Sequence, residues 1–186
     1  MLGDRRPDLG TDLADPLESD LGALVLEEQR RAGSEHDQPG DREGDHDGRP
    51  PLATATLRIL VCGSRKFRDR SSLWTILDGY LAGMHDGEHL GIISGMAPGA
   101  DRLGYQWALE HPEVALGEFP ADWDGPNGKA AGFIRNQQML DEGEPHLGLA
   151  FTDDLVDSRG TADMVRRLKK AKVPYLVIGQ QDPPQR

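Results

Sequence analysis

Hydrophobic and polar positions along the chain change their spacing near residue 56. From Thr56 onward, short apolar runs rich in β-formers alternate with segments of helical period. The runs Leu57–Cys62, Leu90–Ser94, Val114–Phe119, His146–Thr152 and Pro174–Ile178 read as strands. The segments Ser71–Met84, Ala100–Glu110, Lys129–Asp141 and Thr161–Ala171 read as helices. The first helix places Leu73, Trp74, Leu77, Tyr80 and Leu81 on one face, and the second turns Leu103, Trp107 and Ala108 inward. Strands that alternate with helices predict a parallel sheet covered on both faces. Right-handed crossovers then give an α/β, Rossmann-like, doubly wound sheet of about five strands in three layers.

Before residue 53 the pattern is lost. Ala32 to Pro51 is rich in Gly, Asp, Glu, His and Pro and has almost no apolar residue. Such a segment buries too little surface to offset its ordering entropy. The reading is a disordered acidic tail over 1–52, a domain over 53–181 and a short C-terminal tail over 182–186. One island interrupts the first tail. Leu17, Leu21, Leu24, Val25 and Leu26 fall at helical spacing, with Asp15 or Ser19 able to cap. Residues 17–31 are thus either a short marginal helix or a docking helix for a protein partner. His36 and His46 stand among acidic residues, and no metal site is expected there.

Charge sharpens the division. The net charge is -11 over 186 residues. Residues 1–56 hold about 14 acidic and 6 basic residues, so most of the acidity lies in the tail. That balance argues against duplex DNA as a partner. It does not oppose a small anion, which a few cations and backbone N–H groups can hold. The single cysteine, Cys62, allows no disulfide or cysteine-based metal site within one chain, and fits a cytoplasmic location. No apolar core follows the charges of Met1 to Arg6, so no secretory signal is expected. Apolar runs such as Ile59–Cys62 are too short to span a bilayer, so no membrane partner is expected either.

In sheets of this kind ligands sit beyond the carboxyl ends of the strands. Gly63-Ser64-Arg65-Lys66 follows the first strand. Glycine permits a tight turn, Ser64 can donate a hydrogen bond, and Arg65 or Lys66 can meet phosphate. The alternative is an ordinary turn with solvated cations. Ser94-Gly95-Met96-Ala97-Pro98-Gly99-Ala100-Asp101 follows the second strand and opens a helix, whose free N–H groups suit phosphate. It matches neither G-x-x-x-x-G-K-S/T nor G-x-G-x-x-G, which disfavours a P-loop NTPase or a standard NAD enzyme. Asp101 either caps this helix or contacts a ribose hydroxyl or a base. Repulsion places it away from the phosphate.

After the third strand, Trp123 sits in a loop where it can stack on a base or plug the core. Lys129 opens the next helix, on which Arg135 can bind phosphate bidentately and Asn136 can bond a ribose or a base edge. The alternative is a surface arginine with a structural asparagine. After the fourth strand, Gly160 and Thr161 open the last helix and offer a second phosphate cradle. Asp163 either supports the helix dipole or serves as a site acid.

Four motifs in this order, G-S-R, S-G-M-A-P-G-A-D, K-A-A-G-F-I-R-N-x-x-M and S-R-G-T-A-D-M, resemble the YspA-like (cpYpsA-related) branch of the SLOG superfamily. The likeness covers about Leu57 to Gly179, and its distant relatives include the "lonely guy" phosphoribohydrolases and DNA-processing proteins. It implies a Rossmann-like sheet that binds nucleotides or molecules derived from them. The implied cradle is Gly63, Ser64, Arg65, Gly95, Gly99, Asp101, Arg135, Asn136, Gly160 and Thr161. It also implies a homodimer. Where the phosphoribohydrolases carry P-G-G-x-G-T-x-x-E, this chain has Met164 in place of the glutamate, and Met164 cannot exchange a proton.

Three functions follow. The first is binding or sensing of a nucleotide-type, ADP-ribose-like ligand with no further cofactor. The second is hydrolysis of a nucleotide N-glycosidic bond, with Asp101 or Asp163 as the carboxylate and Arg135 as the phosphate anchor. The third is single-stranded nucleic-acid binding through Arg65, Lys66, Arg68 and Arg70.

Overall fold

Five runs of apolar and β-branched residues pair into one parallel sheet. The computed structural model describes residues 48–179. The apolar segment at 17–31, His36, His46 and the residues from 180 onward lie outside them. The strands are β1 (Leu57–Gly63), β2 (Leu90–Ser94), β3 (Ala115–Glu118), β4 (Leu147–Phe151) and β5 (Tyr175–Ile178). Their order is β3-β2-β1-β4-β5 and every pair is parallel. Ile59 lies opposite Ile92 on one side and Leu147 on the other, which puts β1 at the centre.

The helices are α1 (Arg70–Ala82), α2 (Ala100–Glu110), α3 (Ala131–Asp141) and α4 (Arg159–Ala171). Because successive strand residues face opposite ways, β1 feeds two cores. Leu57, Ile59 and Val61 pack with Leu73 and Leu77 of α1 and Trp107 of α2. Leu60 and Cys62 pack with Met139 of α3 and with Met164 and Leu168 of α4. This is the three-layer, Rossmann-like α/β arrangement expected from the alternation of periods. Trp107 is the largest fully buried side chain, and its indole N–H donates to Asp78 at 2.7 Å. Truncating such a side chain to alanine typically costs about 3–5 kcal/mol.

Element edges moved by at most two residues. The helix expected from Lys129 starts as a 3-10 turn over Gly128–Ala130 and becomes α-helical at Ala131. The last helix starts at Arg159, with Ser158 in the N-cap position and its hydroxyl bonded to that of Thr161 at 2.6 Å. The described fold also takes in residues before position 53. Leu52 lies in a 3-10 turn and packs over Gly91 and Gly117, where a Cβ would crowd it. Arg49 donates to the carbonyls of Ala108, Leu109 and His111 at the end of α2. No described helix is long and apolar enough to cross a membrane.

Candidate functional site

The chain winds from β1 outward to β3, then returns to place β4 on the other side of β1. The crevice between the carboxyl ends of β1 and β4 is therefore the topological switch point, where open α/β sheets bind ligands. A cavity of about 550 Å³ lies there. That is ample for a small molecule.

Most residues expected to touch a ligand line it. Gly63, Ser64, Arg65 and Lys66 come from the turn after β1, and Asp101 from the first turn of α2. Trp123 and Lys129 come from the segment after β3, Arg135 and Asn136 from α3, and Gly160 and Thr161 from the start of α4. The turn after β1 is held by Ser64 N–H donating to the Phe151 carbonyl at 2.8 Å. A Cβ on Gly63 would lie 2.7 Å from the Cβ of Ala100, so close packing requires glycine there.

Gly95, Gly99 and Ala100 do not line the cavity; they shape its back wall. Gly99 has a φ of +89° and lies against the Ser64 carbonyl, where a side chain would collide. Ala100 is fully buried behind Gly63. Gly95 leaves the space that the Arg135 guanidinium fills.

Arg135 is the most constrained cation of the site. Its side chain is 9% exposed, and Nη1 donates to the Gly95 carbonyl and to Asp101 Oδ2 at 3.3 Å. Its Nε is buried without a hydrogen-bond partner. Asp101 faces Arg135 directly, and it does not cap α2 as one reading of the sequence had it: Gly99 holds the N-cap position. Burial pushes the Asp101 carboxyl up to about 6, against the opposing pull of Arg135, of backbone hydrogen bonds at Gly63 and Asp101, and of Arg65. Burial likewise pushes the Cys62 thiol up, which keeps it protonated.

Asp163 is buried behind the cavity and does not line it. Its carboxylate accepts from Asn136 Nδ2 at 3.1 Å, Arg166 Nη1 at 3.2 Å and Arg167 Nε at 2.7 Å. Asn136 also donates to the Gly160 carbonyl at 3.1 Å. This network ties α3 to the start of α4 and fixes the cavity wall they share.

The cavity has a second side that sequence reasoning gave no role. Thr152, Asp153, Asp154 and Asp157 line it from the loop after β4, with Ser158 and Arg159 from the start of α4. Gly132 and Phe133 line it from α3, with Ala97 from the loop after β2. The one available signal was position, since Thr152-Asp153-Asp154 directly follows a strand. Arg65 reaches across the mouth, its guanidinium 5.4 Å from the Trp123 ring centre. Five cationic and four carboxylate side chains line the cavity, so it is not acidic as the whole chain is. Among the described residues, no group of three or more His, Cys, Asp or Glu is placed to hold a metal ion.

Comparison with known proteins matches this frame. The model of the YspA, cpYpsA-related SLOG family matches residues 57–125, from β1 through the Trp123 loop. The "Gene 61 protein" of Mycobacterium phage D29 is 34% identical over 126 residues, which is 66% of this chain and 96% of that protein. No solved structure matches the chain. A central sheet with its cavity at the β1/β4 crossover, a family match that begins at β1 and a relative aligned over nearly its whole length agree: the chain belongs to the YspA, cpYpsA-related SLOG family, whose function is nucleotide-related.

Proposed function

We propose that the protein binds a nucleotide-derived, ADP-ribose-like ligand in the β1/β4 cavity and holds it without turning it over. One observation carries the reading: a nine-tenths buried arginine lines the cavity with its Nε unpartnered. A guanidinium presents five donors in a rigid fork, and an unmade buried donor is unfavourable. Nη1 is already engaged, which leaves the Nε–Nη2 edge, the geometry that suits a phosphate or carboxylate bidentately. Lys129 and the first turn of α4, with Gly160 and Thr161, line the same cavity and complete a cradle for an anion. Met164, where related hydrolases carry a glutamate, is buried in the apolar core and offers the cavity no proton.

The test is thermal melting of the full 186-residue chain with AMP, ADP-ribose, NAD and cyclic nucleotides at millimolar concentration. A ligand that binds only the folded state raises the melting temperature by mass action. The expected result is a rise with at least one ligand that Arg135→Ala abolishes. No rise across the panel overturns the reading.

A second reading, hydrolysis of a nucleotide N-glycosidic bond, draws support from Asp101. It lines the same cavity, and its carboxyl is pushed up to about 6, where it can exchange a proton near neutral pH. Asp163 has no part in it, being committed to Asn136, Arg166 and Arg167. Base release from AMP that Asp101→Asn abolishes while binding persists would favour hydrolysis over simple binding.

A further inference from the structure

The three tryptophans of the chain are held in different ways. The Trp107 indole N–H donates to Asp78 and that of Trp74 to the Leu103 carbonyl, and both rings pack into or against the apolar core. Trp123 is 52% exposed, and among the described residues no group accepts a hydrogen bond from its indole. A half-exposed indole leaves a large apolar face in water, an arrangement common where a ligand covers the ring.

Its setting is specific. The Trp123 ring lies over Gly132 at the start of α3, where a Cβ would be 3.3 Å from Cη2, so the absent side chain lets the ring rest there. Gly132 and Phe133 beside it line the same cavity as Arg135. The Arg65 guanidinium stands over the ring, 5.4 Å from its centre. That is within cation–π range but beyond face-to-face contact. A flat ring inserted between the two needs a gap of about 7 Å, twice the contact distance of about 3.5 Å. Arg65 is exposed, and a small outward swing of its side chain opens that gap.

We infer that Trp123 and Arg65 form a stacking clamp for the base of the ligand, so that the cavity prefers a nucleotide to a bare sugar phosphate. This rests on the anion site proposed for Arg135 and deepens it by assigning the opposite end of the ligand. Stacking on an aromatic side chain is sequence-tolerant, because every base has a π-face, so the clamp reads the presence of a base more strongly than its identity. Arg65 adds a cation on the far face of the base and cannot be replaced in that role by a neutral residue.

Calorimetric titration of the full chain with AMP and with ribose 5-phosphate separates the two ends. The wild type is expected to bind AMP about tenfold or more tightly than ribose 5-phosphate. Trp123→Ala is expected to bring AMP down to the level of ribose 5-phosphate and to leave ribose 5-phosphate unchanged. Trp123→Phe is expected to keep much of the preference, and Arg135→Ala to lose both ligands. Equal wild-type affinities overturn the clamp while the anion site stands, as does a Trp123→Ala loss that is the same for both ligands. Failure of both ligands to bind the wild type overturns the anion site, and the clamp with it.

Discussion

Gly95 and Arg135 occupy one space between them: a Cβ on Gly95 would overlap the guanidinium whose Nη1 donates to the Gly95 carbonyl. The conformation of the buried arginine thus depends on a missing side chain forty positions away in sequence. Gly95→Ala must displace Arg135 or shift the loop after β2. Overfilling a packed interior costs about 1–3 kcal/mol, and that loss is expected in urea denaturation. The ligand-induced rise in melting temperature should disappear with it. Gly160→Ala serves as the comparison, because nothing lies within 4 Å of a Cβ built there. In the first turn of α4 alanine replaces a poor helix former, so stability should hold or rise by up to about 1 kcal/mol. Equal losses for the two variants would contradict the steric account.

The Arg135–Asp101 pair is nearly buried on both sides, with side chains 9% and 5% exposed. Removing one member leaves the other charge in a low-dielectric setting, typically at about 3–5 kcal/mol. Arg135→Met and Asp101→Asn should each destabilise, and the double variant should lose less than the sum of the two. A double-mutant cycle from denaturation midpoints reads the coupling directly. Strict additivity would mean that the two groups do not sense one another.

These contacts show where sequence reading succeeds and where it ends. All five strands and all four helices of the described residues were legible, because short apolar runs alternate with segments of helical period between Leu57 and Ile178. Chain order also placed most of the cavity lining, since residues after parallel strands share one edge of the sheet. The commitments of individual side chains were not legible. Nothing in S-R-G-T-A-D-M says that Asp163 turns toward Asn136, Arg166 and Arg167 and away from the cavity. Nor does the loop after β2 reveal that Asp101 pairs with Arg135 across 34 positions. Such pairings depend on the angle at which α3 and α4 meet the sheet, which no local pattern encodes. Arg49 was missed because it lies in the polar composition of the tail while its partners end a helix 59 or more positions later.

Stability should depend on pH through two groups of opposite sign. Burial raises the Asp101 carboxyl from 3.8 to about 6, so between these values the folded chain binds more protons than the unfolded chain. Its contribution is present in full below about 3.8 and is lost as pH rises through about 6. His146 moves the other way. Burial, with Arg58 beside it, lowers the ring from 6.5 to about 4, so its contribution is present above 6.5 and lost as pH falls through about 4. The ring accepts from the Arg58 backbone N–H at 3.1 Å, which requires that nitrogen to be unprotonated. The two terms oppose each other between about pH 4 and 6. In Asp101→Asn only the histidine term remains, so the variant should gain stability with rising pH more steeply than the wild type. Urea midpoints at pH 4, 5, 6 and 7 decide the matter; parallel profiles would show that Asp101 does not titrate in this window.

Arg49 holds the far end of the helix whose near end carries Asp101. Its Nη1 donates to the carbonyls of Ala108 at 2.5 Å and His111 at 3.0 Å, and Nη2 to that of Leu109 at 2.9 Å. The Ala108 and His111 carbonyls already accept from the His111 and Val114 backbone N–H groups, so the guanidinium adds a charged donor at the negative pole of the helix. Hydrogen bonds from a charged donor are worth about 1.5–3 kcal/mol where the acceptor is otherwise unpaired, less where water replaces the donor. Arg49→Ala should therefore lower stability by about 1–2 kcal/mol and leave ligand affinity unchanged, since the contacts lie at the opposite end of α2 from the cavity. The same reasoning bears on where the folding unit starts. The composition changes at residue 53, but a fragment over 53–181 lacks Arg49 and Leu52, whereas one over 48–181 keeps the cap and the apolar plug over Gly91 and Gly117. The longer fragment should melt higher, by an amount at least that of the Arg49→Ala change in the full chain. Equal melting temperatures for the two fragments would assign no stability to these contacts and leave the boundary at residue 53.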